Sequence, residues 1–287
     1  MRVRVARSRE LVATGYAPAA VARVLGVTRQ AIYRVPRPRI APQRRPIVDA
    51  VDVAIVEVAK DNPTDGYRMV WALTRRRLGR AVNRKRVLRA MREQKLIQRR
   101  GRPPRRRRPG VFRVTRPAEL WHMGITSIWV AEHGWVYLNA IIDCCTREIV
   151  GWEISLRCRA KEAIAVIEQA VIDQCIAPGT LTLGTDNGSA FTARATRLVL
   201  RALGVAHRRG GYGDSESQAL IESWFSKLNE RLIWRMGFET LEQLRVELAA
   251  HIDHYHHRPR SGLDYRTPKQ ARQTWDDAQE QPLKLAA

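Results

Sequence analysis

Two acidic residues lie in contexts that suit metal-dependent chemistry on phosphate esters. Asp186 ends the apolar run TLTLG, and the Asn187-Gly188 pair after it permits a sharp turn that leaves the carboxylate at a sheet edge. Glu222 lies in the first turns of an amphipathic helical segment, SQALIESWFSKLNERL. Carboxylate oxygens bind Mg²⁺ and Mn²⁺, and phosphodiester chemistry commonly uses two such ions. Taken singly, Asp186 also fits a turn former and Glu222 a solvated helical residue.

The composition indicates a polyanionic partner. The 287 residues include 51 lysines and arginines against 28 acidic residues, which gives a net charge of +23 and a pI of about 11.1. Nucleic acid is the simplest partner for such a charge, although a general nucleic-acid chaperone would fit it too. No apolar run approaches the roughly 18 residues of a membrane span, and the N-terminus lacks the apolar segment of a signal peptide. We therefore expect a cytoplasmic protein without a membrane partner.

Residues 1–37 carry the pattern of a helix-turn-helix. In YAPAAVARVLGVTRQAIYR, Ala22 permits close helix contact, Gly26 permits the turn and Ile32 seats the second helix. Thr28 is placed to cap that second helix. The exposed face of the helix would present three DNA-binding side chains, Arg29, Gln30 and Arg34. A short helical hairpin without a role in DNA binding is the alternative.

Residues 38–98 are predicted to form a second helical DNA-binding unit. Pro63, Gly66 and Gly79 separate three helical segments, and Asn83 is placed to cap the third. The third helix sets apolar residues against a basic face made of Arg84, Lys85, Arg86 and Arg89. A solvated charged face without a DNA role is the alternative interpretation.

A basic linker is predicted at residues 99–118. The segment RRGRPPRRRRPGVFR contains too much proline, glycine and arginine to pack a core. We expect four of its side chains, Arg105, Arg106, Arg107 and Arg108, to lie along DNA phosphates. Such contacts add affinity that salt weakens and carry no sequence preference.

Residues 119–273 have the pattern of a mixed α/β domain. HMGITSIWVA and WVYLNAIIDC flank Gly134 as a hairpin, and REIVGWEISL supplies a third antiparallel strand. Helices then alternate with two short strands, TLTLGTD and VAHRR. The helix TLEQLRVELAAHIDHYHH is predicted to close the domain, and residues 274–287 are interpreted as a tail.

Several motifs in this order resemble one family. IIDCCTREIVGW, TDNGSAF, ESWFSKL and YHHRPRSGLDYRTP follow one another, and positions 186 and 222 leave 35 residues between the two acids. The chain resembles the DDE transposases and retroviral-type integrases over nearly its whole length, and most closely the insertion-sequence transposases. The resemblance implies an α/β fold with a ribonuclease-H-like catalytic core, preceded by all-α helix-turn-helix units.

The resemblance also implies an activity. It implies cleavage of DNA at element ends and joining of the new hydroxyl to target DNA, with two Mg²⁺ or Mn²⁺ ions. Asp186 would be the second acidic ligand and Glu222 the third, and Lys227 on the same helix would contact DNA. The implied partners are the terminal repeats of an element, target DNA and further copies of the chain. The implied location is the nucleoid in the cytoplasm of a bacterium.

Gly124 departs from the family pattern. The first acidic ligand of the family lies in W-x-x-D-x-T, which spans residues 121–126 here and has Gly124 in the place of the aspartate. His122 shares a strand face with Gly124, and Asp143 ends the neighbouring strand, so both are candidate substitutes. Further departures are Asn229 in place of a lysine and Arg260 in place of a histidine. Two hypotheses follow: a transposase lacking one ligand, or a catalytically inactive DNA-binding repressor of transposition.

Overall fold

The computed structural model describes residues 2–34, 49–97, 114–210 and 218–285. The chain divides into two compact units, Met1–Pro46 and Ile47–Ala287. The predicted linker arginines at positions 105–108 lie outside the described residues. Within the described ranges, no helix is long and apolar enough to cross a membrane.

The first unit contains three short helices. They are α1 (Arg2–Ala13), α2 (Pro18–Leu25) and α3 (Arg29–Tyr33). Gly26 ends α2 at a φ of 61°, a left-handed conformation that glycine adopts without strain. The Thr28 hydroxyl accepts a hydrogen bond from the amide of Ala31 at 3.2 Å and so caps α3. The turn and the cap predicted from the sequence are therefore confirmed.

The second unit begins with a three-helix bundle. Its helices are α4 (Ala50–Asp61), α5 (Tyr67–Leu78) and α6 (Arg84–Glu93). Asp49 caps α4, and the Asn83 side chain accepts from the amide of Lys85 at 2.8 Å to cap α6 as predicted. Ile55, Val70 and Val87 are fully buried where the three helices meet. We call residues 49–97 the helical unit.

A five-stranded mixed sheet forms the centre of the remaining chain. The strands are β1 (Leu120–Val130), β2 (Gly134–Asp143), β3 (Ile149–Ser155), β4 (Thr182–Thr185) and β5 (Ala206–Arg209). Their order is β3-β2-β1-β4-β5, with β1, β2 and β3 antiparallel and β4 and β5 parallel to β1. This topology confirms the predicted α/β class and the ribonuclease-H-like core.

Helices cover both faces of the sheet. On one face α7 (Ala160–Asp173), α8 (Ser189–Thr192) and α9 (Arg194–Ala202) surround Trp121 and Met123 of β1. On the other face α10 (Ala219–Arg231) and α11 (Leu241–His256) pack over Ile128 and Val130 of the same strand. Because side chains alternate along a strand, even-numbered β1 residues face α10 and odd-numbered ones face α7.

A further helix follows the segment that the sequence predicted to close the domain. This helix, α12 (Pro268–Leu285), crosses the predicted boundary at residue 273, so the boundary lies inside a helix. Its first turn is held by a reciprocal pair. The amide of Gln270 donates to the Thr267 hydroxyl at 3.0 Å, and the amide of Thr267 donates to the Gln270 side chain at 3.1 Å. This capping box begins a helix that the sequence analysis did not predict.

The close approach of β3 to α7 gives a first testable prediction. A Cβ atom at Gly151 would lie 2.9 Å from Cβ of Ala170 and 3.5 Å from the Val166 carbonyl oxygen. Replacement of Gly151 by alanine should therefore lower the free energy of unfolding by about 1–3 kcal/mol, measured by urea denaturation. Gly237→Ala is the control, because a Cβ there would meet nothing within 4 Å.

The same experiment has an internal check. Ala170→Gly removes the methyl group that the new side chain meets, at a cost of about 1 kcal/mol for glycine inside a helix. The Gly151→Ala and Ala170→Gly changes should therefore cost less together than the sum of the two single changes. Additive costs would show that β3 and α7 do not meet at this point.

Candidate active site and nucleic-acid interface

The pairing of β1 with β4 places Gly124 beside Asp186. The register joins Leu120 to Thr182 and His122 to Gly184, a constant offset of 62 positions. Positions 124 and 186 have the same offset and lie two residues beyond the last paired residues, His122 and Gly184. Adjacent strands lie about 4.8 Å apart, so a side chain at 124 would neighbour Asp186. The Asp186 carboxylate is exposed, and its Oδ1 accepts from the amide of Gly188 at 2.8 Å.

Helix α10 lies across the same part of β1. A Cβ atom at Gly124 would lie 2.8 Å from Cε2 of Phe225 and 3.3 Å from Cγ1 of Ile221. Glu222 is in the first turn of α10, next to Ile221 in sequence, and its side chain is exposed. The three positions of the predicted site therefore lie on elements that meet at one edge of the sheet. The Phe225 ring fills the space where a side chain at 124 would begin.

His122 lies on the α10 face of β1 and is buried. Its ring covers Gly184, since a Cβ there would lie 2.9 Å from His122 Cδ2. Burial lowers the pKa of His122 to about 4, and nearby Arg208 and Arg147 contribute to the shift. The imidazole is therefore neutral near pH 7. Its Nδ1 atom is buried and has no hydrogen-bond partner among the described residues.

Asp143 is buried and engaged in structural hydrogen bonds. Its Oδ2 accepts from the amide of Ala118 at 2.7 Å and from the indole of Trp121 at 3.0 Å. Its Oδ1 accepts from the amides of Cys145 at 2.7 Å and Thr146 at 2.9 Å. Trp121 is the cross-strand partner of Asp143 and faces α7, so the carboxylate lies on the sheet face opposite to α10. This position does not suit a substitute for a carboxylate at 124.

The predicted DNA-binding residues of the first unit lie on α3. Arg29 begins the helix, Gln30 follows it and Arg34 comes directly after the helix ends. All three side chains are exposed, while Ile32 on the opposite side is buried. The helix therefore presents the predicted polar face.

The four predicted basic residues of α6 differ in their surroundings. Lys85 and Arg89 are exposed, whereas Arg84 is stacked over the ring of Trp71 at 4.1 Å. Arg86 donates to Asp52 at 2.7 Å and to Asp49 at 2.6 Å, and these hydrogen bonds raise its pKa. Arg86 thus ties α6 to the start of α4.

Two further predicted positions lie on α10. Lys227 is half-buried and ion-paired with Glu230. Asn229, where the resemblance implies a lysine, is also half-buried. The described part of α10 therefore offers less free positive charge beside Glu222 than the resemblance implies.

Comparison with known proteins assigns the chain to domain families. Models described as "Integrase core domain" match residues 114–215 and 203–268, and a model described as "HTH-like domain" matches residues 47–107. The InsD transposase of insertion element IS2 from Escherichia coli is 27% identical over 92% of this chain and 93% of its own length. The chain belongs to the integrase-core family of insertion-sequence transposases.

Other similar proteins cover less of the chain. The transposase of insertion sequence element IS904 from Lactococcus lactis is 34% identical over 55% of this chain, and the match spans 63% of that relative. A simian T-cell lymphotropic virus intasome in complex with a PP2A regulatory subunit shares 15% identity at a TM-score of 0.45 over 75% of this chain and 73% of that chain. The catalytic core domain of BIV integrase shares 19% identity at a TM-score of 0.41, over 58% of this chain and 99% of that chain.

Among the residues that the structure describes, the site does not present the carboxylates of a two-metal centre. Such a centre needs several carboxylates around both ions, and Gly124 supplies none. In residues 2–34, 49–97, 114–210 and 218–285 there is no group of three or more His, Cys, Asp or Glu side chains that could hold a metal ion. Asp186 and Glu222 are thus left as two of the three acids that the family pattern implies.

The sequence analysis missed two features of this region. Phe225 lies in the segment predicted to be an amphipathic helix, but nothing in the sequence indicated that its ring would fill the space beside Gly124. Asp65, a buried carboxylate in the turn between α4 and α5, was also overlooked. A charged residue between helix breakers ordinarily indicates an exposed turn, so its burial had no local signal.

The hydrogen bonds of Asp143 lead to a prediction that separates a structural from a catalytic role. Asp143→Asn places an amide donor against N–H groups that already donate, and should lower the free energy of unfolding by about 2–4 kcal/mol. Urea denaturation measures the change. Asp253→Asn is the matched control, because the Asp253 side chain is 74% exposed. Unchanged stability together with weakened Mn²⁺ binding would instead identify Asp143 as a metal ligand.

Proposed function

We propose that this chain binds the end DNA of an insertion sequence and lacks a complete centre for cutting and joining strands. The observation that carries the proposal is the surroundings of Gly124. The residue lies under α10, at the offset from Asp186 that the β1–β4 pairing sets, where the family pattern has its first acidic ligand, and Phe225 fills the adjoining space. A chain of this kind would occupy element ends without cleaving them and would thereby repress transposition.

Charge and exposed basic side chains support the DNA-binding part of the proposal. The net charge of +23 favours a polyanion, and two separate helices present exposed basic residues, α3 with Arg29 and Arg34 and α6 with Lys85 and Arg89. Terminal repeats and target DNA are the partners that the family implies, with further copies of the chain bound on the same DNA. A location at the bacterial nucleoid in the cytoplasm follows from such a role.

A second candidate is an active transposase in which His122 replaces the missing carboxylate. His122 shares the α10 face with Gly124, is neutral near pH 7 and has a buried Nδ1 without a described partner. Imidazole nitrogen is a poor ligand for Mg²⁺ and a better one for softer ions. We therefore favour the incomplete centre over this candidate.

Cleavage and strand transfer on labelled end DNA test the proposal. The unaltered chain should be inactive with Mg²⁺ and with Mn²⁺, and Gly124→Asp should gain activity because it restores a carboxylate beside Asp186. Gly124→Asn is the isosteric control without charge, and Gly124→Ala introduces the same contact with Phe225 without a ligand. Both controls should stay inactive.

A second set of variants tests the close contact between a side chain at position 124 and Phe225. A Cβ at 124 requires the ring to shift, so Gly124→Asp combined with Phe225→Leu should be more active than Gly124→Asp alone. Adding Glu222→Gln to Gly124→Asp should abolish any gain. Cleavage by the unaltered chain would overturn the proposal, and loss of that cleavage in His122→Gln would establish the second candidate.

The surroundings of the α6 residues predict which of them bind DNA. Lys85→Gln and Arg89→Gln should weaken binding to end DNA, and each should lower the slope of log affinity against log salt concentration by about 1. Arg86→Gln should instead lower the free energy of unfolding, because it removes the ion pairs with Asp49 and Asp52. Fluorescence anisotropy at several salt concentrations measures the change in DNA binding, and urea denaturation measures the change in stability. Equal salt slopes for all variants would contradict the assignment.

A further inference from the structure

We infer that Asp65 is a positioning residue that fixes the helical unit (residues 49–97) against α10, the helix that carries Glu222. Asp65 lies in the turn between α4 and α5, and its side chain is only 4% exposed. Its carboxylate reaches out of the helical unit to arginines on two separate elements of the integrase core. The geometry of these contacts is the basis of the inference, which needs no assumption about DNA.

The two arginines hold the two oxygens of one carboxylate. Arg231, the last residue of α10, donates from Nη2 to Oδ1 of Asp65 at 2.6 Å. Arg258, just after α11, donates from Nη2 to Oδ2 of Asp65 and also to the side-chain oxygen of Asn62 at 2.9 Å. One carboxylate therefore joins the turn of the helical unit to the ends of two core helices.

The positive charge around Asp65 makes this carboxylate hard to replace. Arg258 is 7% exposed, and Arg260 is packed over the ring of Tyr255 at 3.8 Å. Burial lowers the pKa of Arg260 to about 10, and repulsion from Arg231 and Arg258 adds to the shift, whereas Asp65 opposes it. Removal of one partner from a buried ion pair leaves the other charge uncompensated, which costs far more than loss of a surface pair. Neutral Asp65 variants should therefore release the arginines from this site.

A second contact holds the other end of the helical unit. Tyr265 packs edge-on against Trp71 with ring centroids 5.2 Å apart, and its carbonyl oxygen accepts from Arg76 at 3.2 Å. Arg76 also donates to the side chain of Gln270 on α12 at 2.5 Å. Two separated contacts resist rotation as well as translation. Among the described residues, Asp65 thus provides one of the contacts that hold the helical unit, with its helix α6, against the helix that carries Glu222.

Hydrogen–deuterium exchange on the full chain without DNA tests the inference. In Asp65→Asn, amides of residues 226–235 and 60–67 should exchange about tenfold faster or more, while those of β1 and β2 keep their rates. Glu57→Gln is the matched control, because Glu57 pairs at 2.6 Å with Arg77 on the exposed surface of the same unit. The control should leave both segments unchanged.

A double-mutant comparison tests the pair itself. Arg258→Gln should accelerate exchange in the same two segments, and adding Asp65→Asn should accelerate it by less than Asp65→Asn does alone, because one of the two ion pairs of Asp65 is already lost. Independent, multiplicative effects would overturn the inference. So would a uniform acceleration across β1 and β2, since this would show that Asp65 serves general stability and does not fix one junction.

The consequence for DNA rests on the proposed function and has its own readout. If α6 holds end DNA, Asp65→Asn should broaden the hydroxyl-radical footprint of the chain on that DNA, while Glu57→Gln leaves it sharp. If Asp65→Asn alters hydrogen exchange but leaves the footprint unchanged, Asp65 fixes the helical unit against α10 but does not position DNA. Absence of any footprint from the unaltered chain would count against the proposed function, and the exchange result would stand independently.

Discussion

The parallel pairing of β1 with β4 is the constraint on which the candidate site depends. Its register cannot slip by one residue, because a slip would turn Trp121 and Met123 out of the core under α7. The burial of these two side chains on the α7 face therefore fixes which residue of β1 comes next to Asp186. Helix α10 is held in turn by Leu228, which is fully buried, and this packing leaves Glu222 exposed at the same edge.

The segment that closes the core mainly joins elements to one another. Tyr255 donates its hydroxyl to the carbonyl of Arg147 at 2.8 Å, and the Ile149 amide donates to Nε2 of His256 at 2.9 Å. The second bond requires a neutral imidazole, and burial lowers the pKa of His256 to about 4. These bonds fasten α11 to β3, and Arg258 extends the same segment to the helical unit. Much of the closing motif YHHRPRSGLDYRTP thus contributes to structure.

Features that depend on neighbouring residues could be predicted from the sequence. The Gly134 hairpin, the caps at Thr28 and Asn83 and the mixed sheet each follow from local patterns that the structure confirms. The capping box that begins α12 is also visible in the sequence, in TPKQ at residues 267–270, although the helix that it begins was not predicted. Contacts set by docking were not predictable, since Asp65 and Arg258 are 193 positions apart. The same holds for Phe225 beside Gly124, because propensity does not determine how a helix rotates over a sheet.

Glycine in place of a carboxylate at position 124 has a physical rationale in the stability of the fold. A carboxylate there would lie beside Asp186 and against Phe225 and Ile221, so without bound cations it would meet like charge and lose hydration. Catalytic sites commonly hold such unfavourable arrangements at the expense of stability. A glycine removes the repulsion and the desolvation, although it weakens the strand through its larger loss of conformational entropy. Gly124 contributes no side chain to the buried framework of β1, and a chain that only binds DNA can therefore carry glycine here and keep its fold.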